Sequence, residues 1–182
     1  MTRMIRAALV VGLVSGGQIH ASLAAQEPEV VDRKSHIKLP IEAARVMETV
    51  LARVRLRLES AECAAVFNDF ADRDGRSLAT VLSAAGRTPS TFLDLLYFVD
   101  ATMSARCRGS QIHIAFTIPR SRVIYVCSSR FVAYFSQDTT VGEVLVIHEL
   151  LHALGLGENP PHTEAITDRV ATRCAQASPI ER

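Results

Sequence analysis

From residue 41 onward the apolar positions fall into a helical rhythm. Ala44, Met47, Leu51, Val54 and Leu58 recur three or four apart, while Glu42, Arg45, Glu48, Arg53 and Arg55 lie largely on other faces. The spacing predicts a long amphipathic helix running to about residue 67. The stretch 69–75, which carries Asp69, Asp72, Asp74 and Gly75, reads as a turn, and residues 78–85 as a second helix ended by Gly86. A third helix is predicted over 91–103 (TFLDLLYFVDATM), with Pro89 near its start and Ser90 or Thr91 as its N-cap.

After Cys107 the period shortens. Ile112, Ile114 and Phe116 alternate with polar residues, and residues 122–127 (RVIYVC) are rich in β-branched and aromatic side chains, so two strands are expected. Ile118, Pro119, Arg120 and Ser121 supply the loop of a β-hairpin. Residues 137–140 offer an N-cap for a helix over 141–154, and Thr163 caps a last helix over 164 to about 175. The class implied is α+β: mainly helical, with a small sheet beside the helix at 141–154. There is no internal repeat and no low-complexity segment.

The ends and the composition refine this picture. Residues 1–25 read as a secretory signal peptide: Arg3 and Arg6, an apolar run over 7–14, and a small-residue cleavage site after Ala24 or Ala25. That run is too short to span a bilayer, so no membrane association is expected after cleavage. Residues 26–40 are polar, proline-bounded and aperiodic, and are read as a flexible leader, leaving 41–182 as one domain. A net charge of +1 and the lack of any basic stripe argue against nucleic-acid binding. In an oxidising compartment Cys63, Cys107, Cys127 and Cys174 imply two disulfides. Spacing does not decide the connectivity; Cys63 with Cys107 and Cys127 with Cys174 is preferred here, which would staple the last helix to the strand region.

The chemistry concentrates in HELLHALGLGENPPH, residues 148–162. On a helix, His148 and His152 lie one turn apart on one face and can aim ring nitrogens at a single point, the arrangement a zinc ion takes from two imidazoles. Glu149 projects toward the same side, placed as general base for a metal-activated water. The pattern therefore points to a zinc-dependent hydrolase of peptide bonds with a peptide or protein substrate. The contrasting class is an exported binding or structural protein whose site is degenerate. Oligomeric state is not readable.

A catalytic zinc takes three protein ligands, and four residues compete for the third place. In the spacing HExxHxxGxxH, Gly155 stands at the glycine and Glu158 at the last ligand position, so His148, His152 and Glu158 form the first choice. His162 is the alternative, as ligand or as donor to a developing oxyanion. Glu164 and Asp168 on the last helix are the remaining choices. Tyr125, Tyr134, Arg130 and His113, near the strands, are weaker candidates for steadying an oxyanion. Asp69, Asp72 and Asp74 with Gly75 faintly resemble a calcium loop without its closing glutamate, so a plain turn is preferred.

HELLHALGLGENPP, the following TEAITDRV and a late cysteine, together with the upstream SRVIYVCSSRF, resemble small secreted bacterial zincin-type metallopeptidases. The resemblance covers roughly the C-terminal half. It implies a zinc site at the motif and an edge strand lying antiparallel to an extended substrate. The chain departs from the metzincin group in having no methionine after Met103 and only residues 153–182 beyond the motif, which makes it at most a minimal zincin.

Overall fold

The computed structural model describes residues 36–110, 112–136 and 139–175. The expected signal peptide and residues 26–35 of the expected leader lie outside the described residues. The elements run β1 (Ile37–Lys38), α1 (Ile41–Leu58), α2 (Ala61–Ala64), α3 (Val66–Asp69), α4 (Leu78–Ala84), α5 (Pro89–Leu93), β2 (Tyr97–Asp100) and α6 (Ala105–Arg108). Then follow β3 (Ala115–Thr117), β4 (Val123–Val126), α7 (Ser128–Phe135), α8 (Thr139–Leu154), α9 (Thr163–Val170) and a π-helical turn, Ala171–Ala175. The fold is mainly helical α+β, with one small sheet of order β1-β2-β4-β3. Within it β1, β2 and β4 are parallel, and β3 and β4 form the expected antiparallel hairpin, with Phe116 opposite Tyr125.

Several elements differ from the sequence expectations. The first helix stops at Leu58 rather than near 67, because the Ser60 hydroxyl accepts the backbone N–H of Cys63 and starts a new turn in another direction. The third helix is only Pro89–Leu93, capped by Thr88 in a reciprocal pair with Thr91. Its expected second half is instead the strand β2, where aromatic and β-branched Tyr97, Phe98 and Val99 pair with Val123, Ile124 and Tyr125. Ile37 and Lys38, assigned to a flexible leader, form β1 against Phe98 and Val99. Helix α7 had no counterpart in the sequence reading. The last helix begins at Thr163 itself, with His162 in the cap position and no side-chain cap bond.

Helix α8 is central, and from Val146 to Leu154 every residue is buried. Gly142 permits its close approach to α1 and α7: a Cβ there would lie 3.1 Å from Val50 Cγ2 and 3.2 Å from Phe135 Cγ. Its N-terminal half also carries a fully buried charge, Glu143, ion-paired with Arg57 of α1 and 3.7 Å from Arg53. The Arg57 guanidinium also donates to the carbonyls of Cys174 (2.6 Å) and Ala175 (3.0 Å), so one side chain ties α1, α8 and the C-terminal turn together.

Both expected disulfides are re-paired. Cys63 bonds Cys174 and Cys107 bonds Cys127. The cause is the packing order: α1, α8 and α9 bring the turn Ala171–Ala175 to α2, while α6 folds back beside the end of β4. The C-terminal segment is therefore stapled to α2, not to the sheet. Two disulfides suit an oxidising environment such as the periplasm or the cell exterior. Among the described residues no helix is long and apolar enough to cross a membrane.

Candidate metal centre

His148 and His152 come from the last two turns of α8, where helix periodicity puts their rings side by side, 4.8 Å between centroids. Their Nε2 atoms are 3.0 Å apart, and Glu158 Oε1 lies 3.6 Å from His152 Nε2. Two donors each 2.0–2.1 Å from one tetrahedral zinc are about 3.3 Å apart, so the two distances bracket the edge of such a site. The three side chains gather ligand atoms within 4.8 Å of one another. This is the set preferred from sequence.

How the chain turns to bring Glu158 back follows from the end of α8. Gly155 has φ +118 and ends the helix, with Gly155 N–H donating to His152 O (2.9 Å) and Leu156 N–H to Leu151 O (3.1 Å). That is the Schellman arrangement, with Leu151 and Leu156 both buried in the core as its hydrophobic contact. A Cβ at Gly155 would lie 3.2 Å from Asp72 Cβ. The turn at 69–75 thus packs under the helix end. Asp72 in it is occupied by the backbone N–H groups of Asp74 and Arg76 and by the Arg76 guanidinium, which is the chemistry of a turn. The hairpin loop joins the same junction: Arg120 N–H donates to His152 O (3.0 Å), and its guanidinium pairs with Asp74.

Each imidazole is oriented through its other nitrogen. His152 Nδ1 lies 2.9 Å from the carbonyl of Leu156, so Nδ1 carries a hydrogen, and in the neutral ring Nε2 is the lone pair. His148 Nδ1 faces the Thr167 hydroxyl of α9 at 3.1 Å. A hydroxyl can donate or accept, so His148 can also present Nε2 as a lone pair. Burial, with repulsion from His152 next, lowers the His148 pKa to about 4, which keeps its ring neutral and available as a ligand. Glu158 is half exposed. The Thr163 hydroxyl donates to it and, with the histidines and Arg106, holds its carboxyl below the usual range against the effect of burial.

Glu149 is treated differently. It is buried, its Oε2 has no hydrogen-bond partner, and burial pushes its pKa up to about 7. The Thr117 hydroxyl of β3 faces it and opposes the shift, although no hydrogen bond of ordinary geometry joins them. His148, Glu149, His152 and Glu158 open together onto a cleft of about 370 Å³, walled by β3 on one side and by Thr163, Glu164 and Thr167 of α9 on the other. The wall β3 is an edge strand.

The other sequence candidates are distributed unevenly. His162 is not in the cluster; its Nδ1 contacts Asn159 Oδ1 at the surface. Glu164 lines the cleft without joining the ligand group, and Asp168 does neither. His113 lines the cleft, Tyr125 stacks on Phe116, and Tyr134 and Arg130 lie on α7, where Arg130 donates to the carbonyls of Gly109 and His113. Sequence reasoning missed Thr163 and Thr167. Their spacing on one helix was the available signal, since residues four apart share a face with whatever that face meets. It also missed the Leu156 carbonyl, which leaves no trace in side-chain identity. Compared with protein-family models, curated proteins and solved structures, the chain shows no match.

Proposed function

We propose that this chain is an exported zinc-dependent peptidase, with His148, His152 and Glu158 holding the metal and Glu149 moving protons. The observation that carries the reading is the pair of imidazole Nε2 atoms converging at 3.0 Å beside the Glu158 carboxylate. Two ring nitrogens this close share either a proton or a cation, and the Glu158 carboxylate beside them completes a three-donor set suited to the cation. When bound, zinc polarises a substrate carbonyl and acidifies a water molecule.

The chain's own groups supply the rest. Glu149, poised near neutrality by burial, accepts the proton of that water and returns it to the leaving amine. Thr167 and the Leu156 carbonyl keep the imidazoles in register. The outer edge of β3 offers unpaired backbone groups to an extended peptide lying along the cleft. The helix α9 forms the opposite bank. Export, in this reading, depends on residues 1–25, which are removed.

The test begins with the metal content of the purified protein. One equivalent of zinc is expected, lost on His148→Ala and sharply weakened by Glu158→Ala, together with cleavage of a mixed peptide library that stops when a chelator removes the metal. Zinc bound without any peptide cleavage would favour the binding-protein alternative, and no zinc at all would sink the metal reading.

A further inference from the structure

We propose that Arg73 and Arg106 form an anion-recognition subsite at one end of the cleft, selecting a substrate carboxylate close to the scissile bond. The inference rests on the peptidase reading above and adds a substrate preference to it. A second recess of about 230 Å³ adjoins the metal cluster, lined by Arg73, Arg106, Ile118 and Pro119. It shares Arg106, Thr117, His152 and Glu158 with the main cleft, so a chain passing over the site runs from one into the other.

Arg106 is positioned. Its guanidinium lies 4.8 Å above the Phe116 ring on β3, and Phe116 is stacked on Tyr125. The neighbouring Cys107 is bonded to Cys127, which fixes the short helix that presents the arginine. Arg73 comes from the turn beneath the motif helix, with its Nε 3.7 Å from where a Cβ on Gly157 would lie, beside the segment leading to Glu158. Two other arginines of this region, Arg76 and Arg120, are paired with Asp72 and Asp74. Among the described residues no carboxylate forms an ion pair with Arg73 or Arg106.

The ligand chemistry follows from these facts. Two guanidiniums facing one recess present planar forks of N–H donors that match a carboxylate, and Glu158 would be neutralised by the metal rather than available to them. The carboxylate can be an Asp or Glu side chain or the free C-terminus of a peptide.

The test measures binding rather than turnover. Zinc-loaded Glu149→Gln protein is titrated calorimetrically with a short N-acetylated peptide in three forms: neutral with a C-terminal amide, the same with a glutamate scanned through its positions, and the same with a free C-terminal carboxylate. At least one anionic form is expected to bind about tenfold tighter than the neutral one at low salt. The form that gains identifies the source of the carboxylate. Adding Arg73→Gln and Arg106→Gln should erase the advantage, whereas Arg106→Lys should retain part of it; both positions are exposed, and thermal melts check folding. Equal binding of all forms, binding of none, or an advantage that survives the double substitution would overturn the subsite. Cleavage by the wild-type protein separates the two ideas. Anionic preference without cleavage sinks the peptidase reading alone, and cleavage without preference sinks only the subsite.

Discussion

Glu143 and Glu149 lie less than two turns apart on the same helix, and both are removed from water, at 0% and 4% exposure. The fold treats them in opposite ways. Glu143 meets Arg57 on one oxygen and faces Arg53 on the other, and Arg57 Nη1 donates to the carbonyls of Cys174 and Ala175. Each acid keeps one oxygen without a hydrogen bond, Glu143 Oε1 and Glu149 Oε2, but Glu149 lacks the arginine ion pair that Glu143 has, and burial pushes its pKa up to about 7. A chain that places an arginine so well beside one buried carboxylate can do the same for another. A buried acid without an ion pair lowers stability, and in the peptidase reading that cost keeps Glu149 available beside the two converging imidazoles.

Exchanging either acid for its amide tests that contrast directly. Glu149→Gln should lower peptide hydrolysis by roughly 10²- to 10⁴-fold with zinc stoichiometry unchanged, whereas Glu143→Gln should leave turnover near wild type and lower the melting temperature. Similar activity losses in both would mean that the two acids serve one structural purpose. Arg57→Ala should destabilise the protein by about 3–5 kcal/mol in urea unfolding, because it strands Glu143 and frees the C-terminal turn. A loss under 1 kcal/mol would show that Arg53 or water takes its place.

The pH dependence of the metal-stripped protein gives a finer contrast. The folded-state pKa of Glu149 is raised from 4.5 to about 7, so between those values the native state binds more protons than the unfolded one and loses stability as pH rises. For His148, lowered from 6.5 to about 4, the unfolded state binds more protons, so stability is lost as pH falls through that window. The two trends oppose each other in the wild type. Glu149→Gln removes only the first, so its stability advantage should grow from near zero at pH 4.5 to roughly 3 kcal/mol above pH 7. A difference that stays flat with pH would mean that Glu149 has a partner in solution. The smallest effect belongs to Thr167→Val, which removes the hydroxyl facing His148 Nδ1 and should weaken zinc binding by about tenfold, read by competition with a chromogenic chelator.

What could be read from the sequence follows the range of the interactions involved. The motif helix, the hairpin and the return of Glu158 all rest on local signals: helical spacing, alternation, and a glycine three residues after His152. Tyr97 to Asp100 failed that test. Their apolar residues continue a helical rhythm, and only pairing with Val123 to Val126, far along the chain, makes them a strand. The disulfides failed for the same reason, since Cys63 meets Cys174 across 111 residues. Arg57 stands among the other charges of α1 with no pattern to single it out. Nothing in its neighbours along the chain reveals that its partner is Glu143, 86 residues away.

The ending of α8 also bears on how portable the site is. The carbonyl that orients His152 comes from Leu156, inside the same nine-residue stretch as both histidines, so transplanting residues 148–156 into another helix end would carry one correctly tautomerised imidazole with it. His148 depends on a hydroxyl from a different helix and would arrive unguided. A designer borrowing this motif should therefore engineer a hydroxyl partner for the first histidine and expect the second to need none. A single residue inserted between His152 and Gly155 would forfeit that advantage, because the carbonyl would rotate away with the turn.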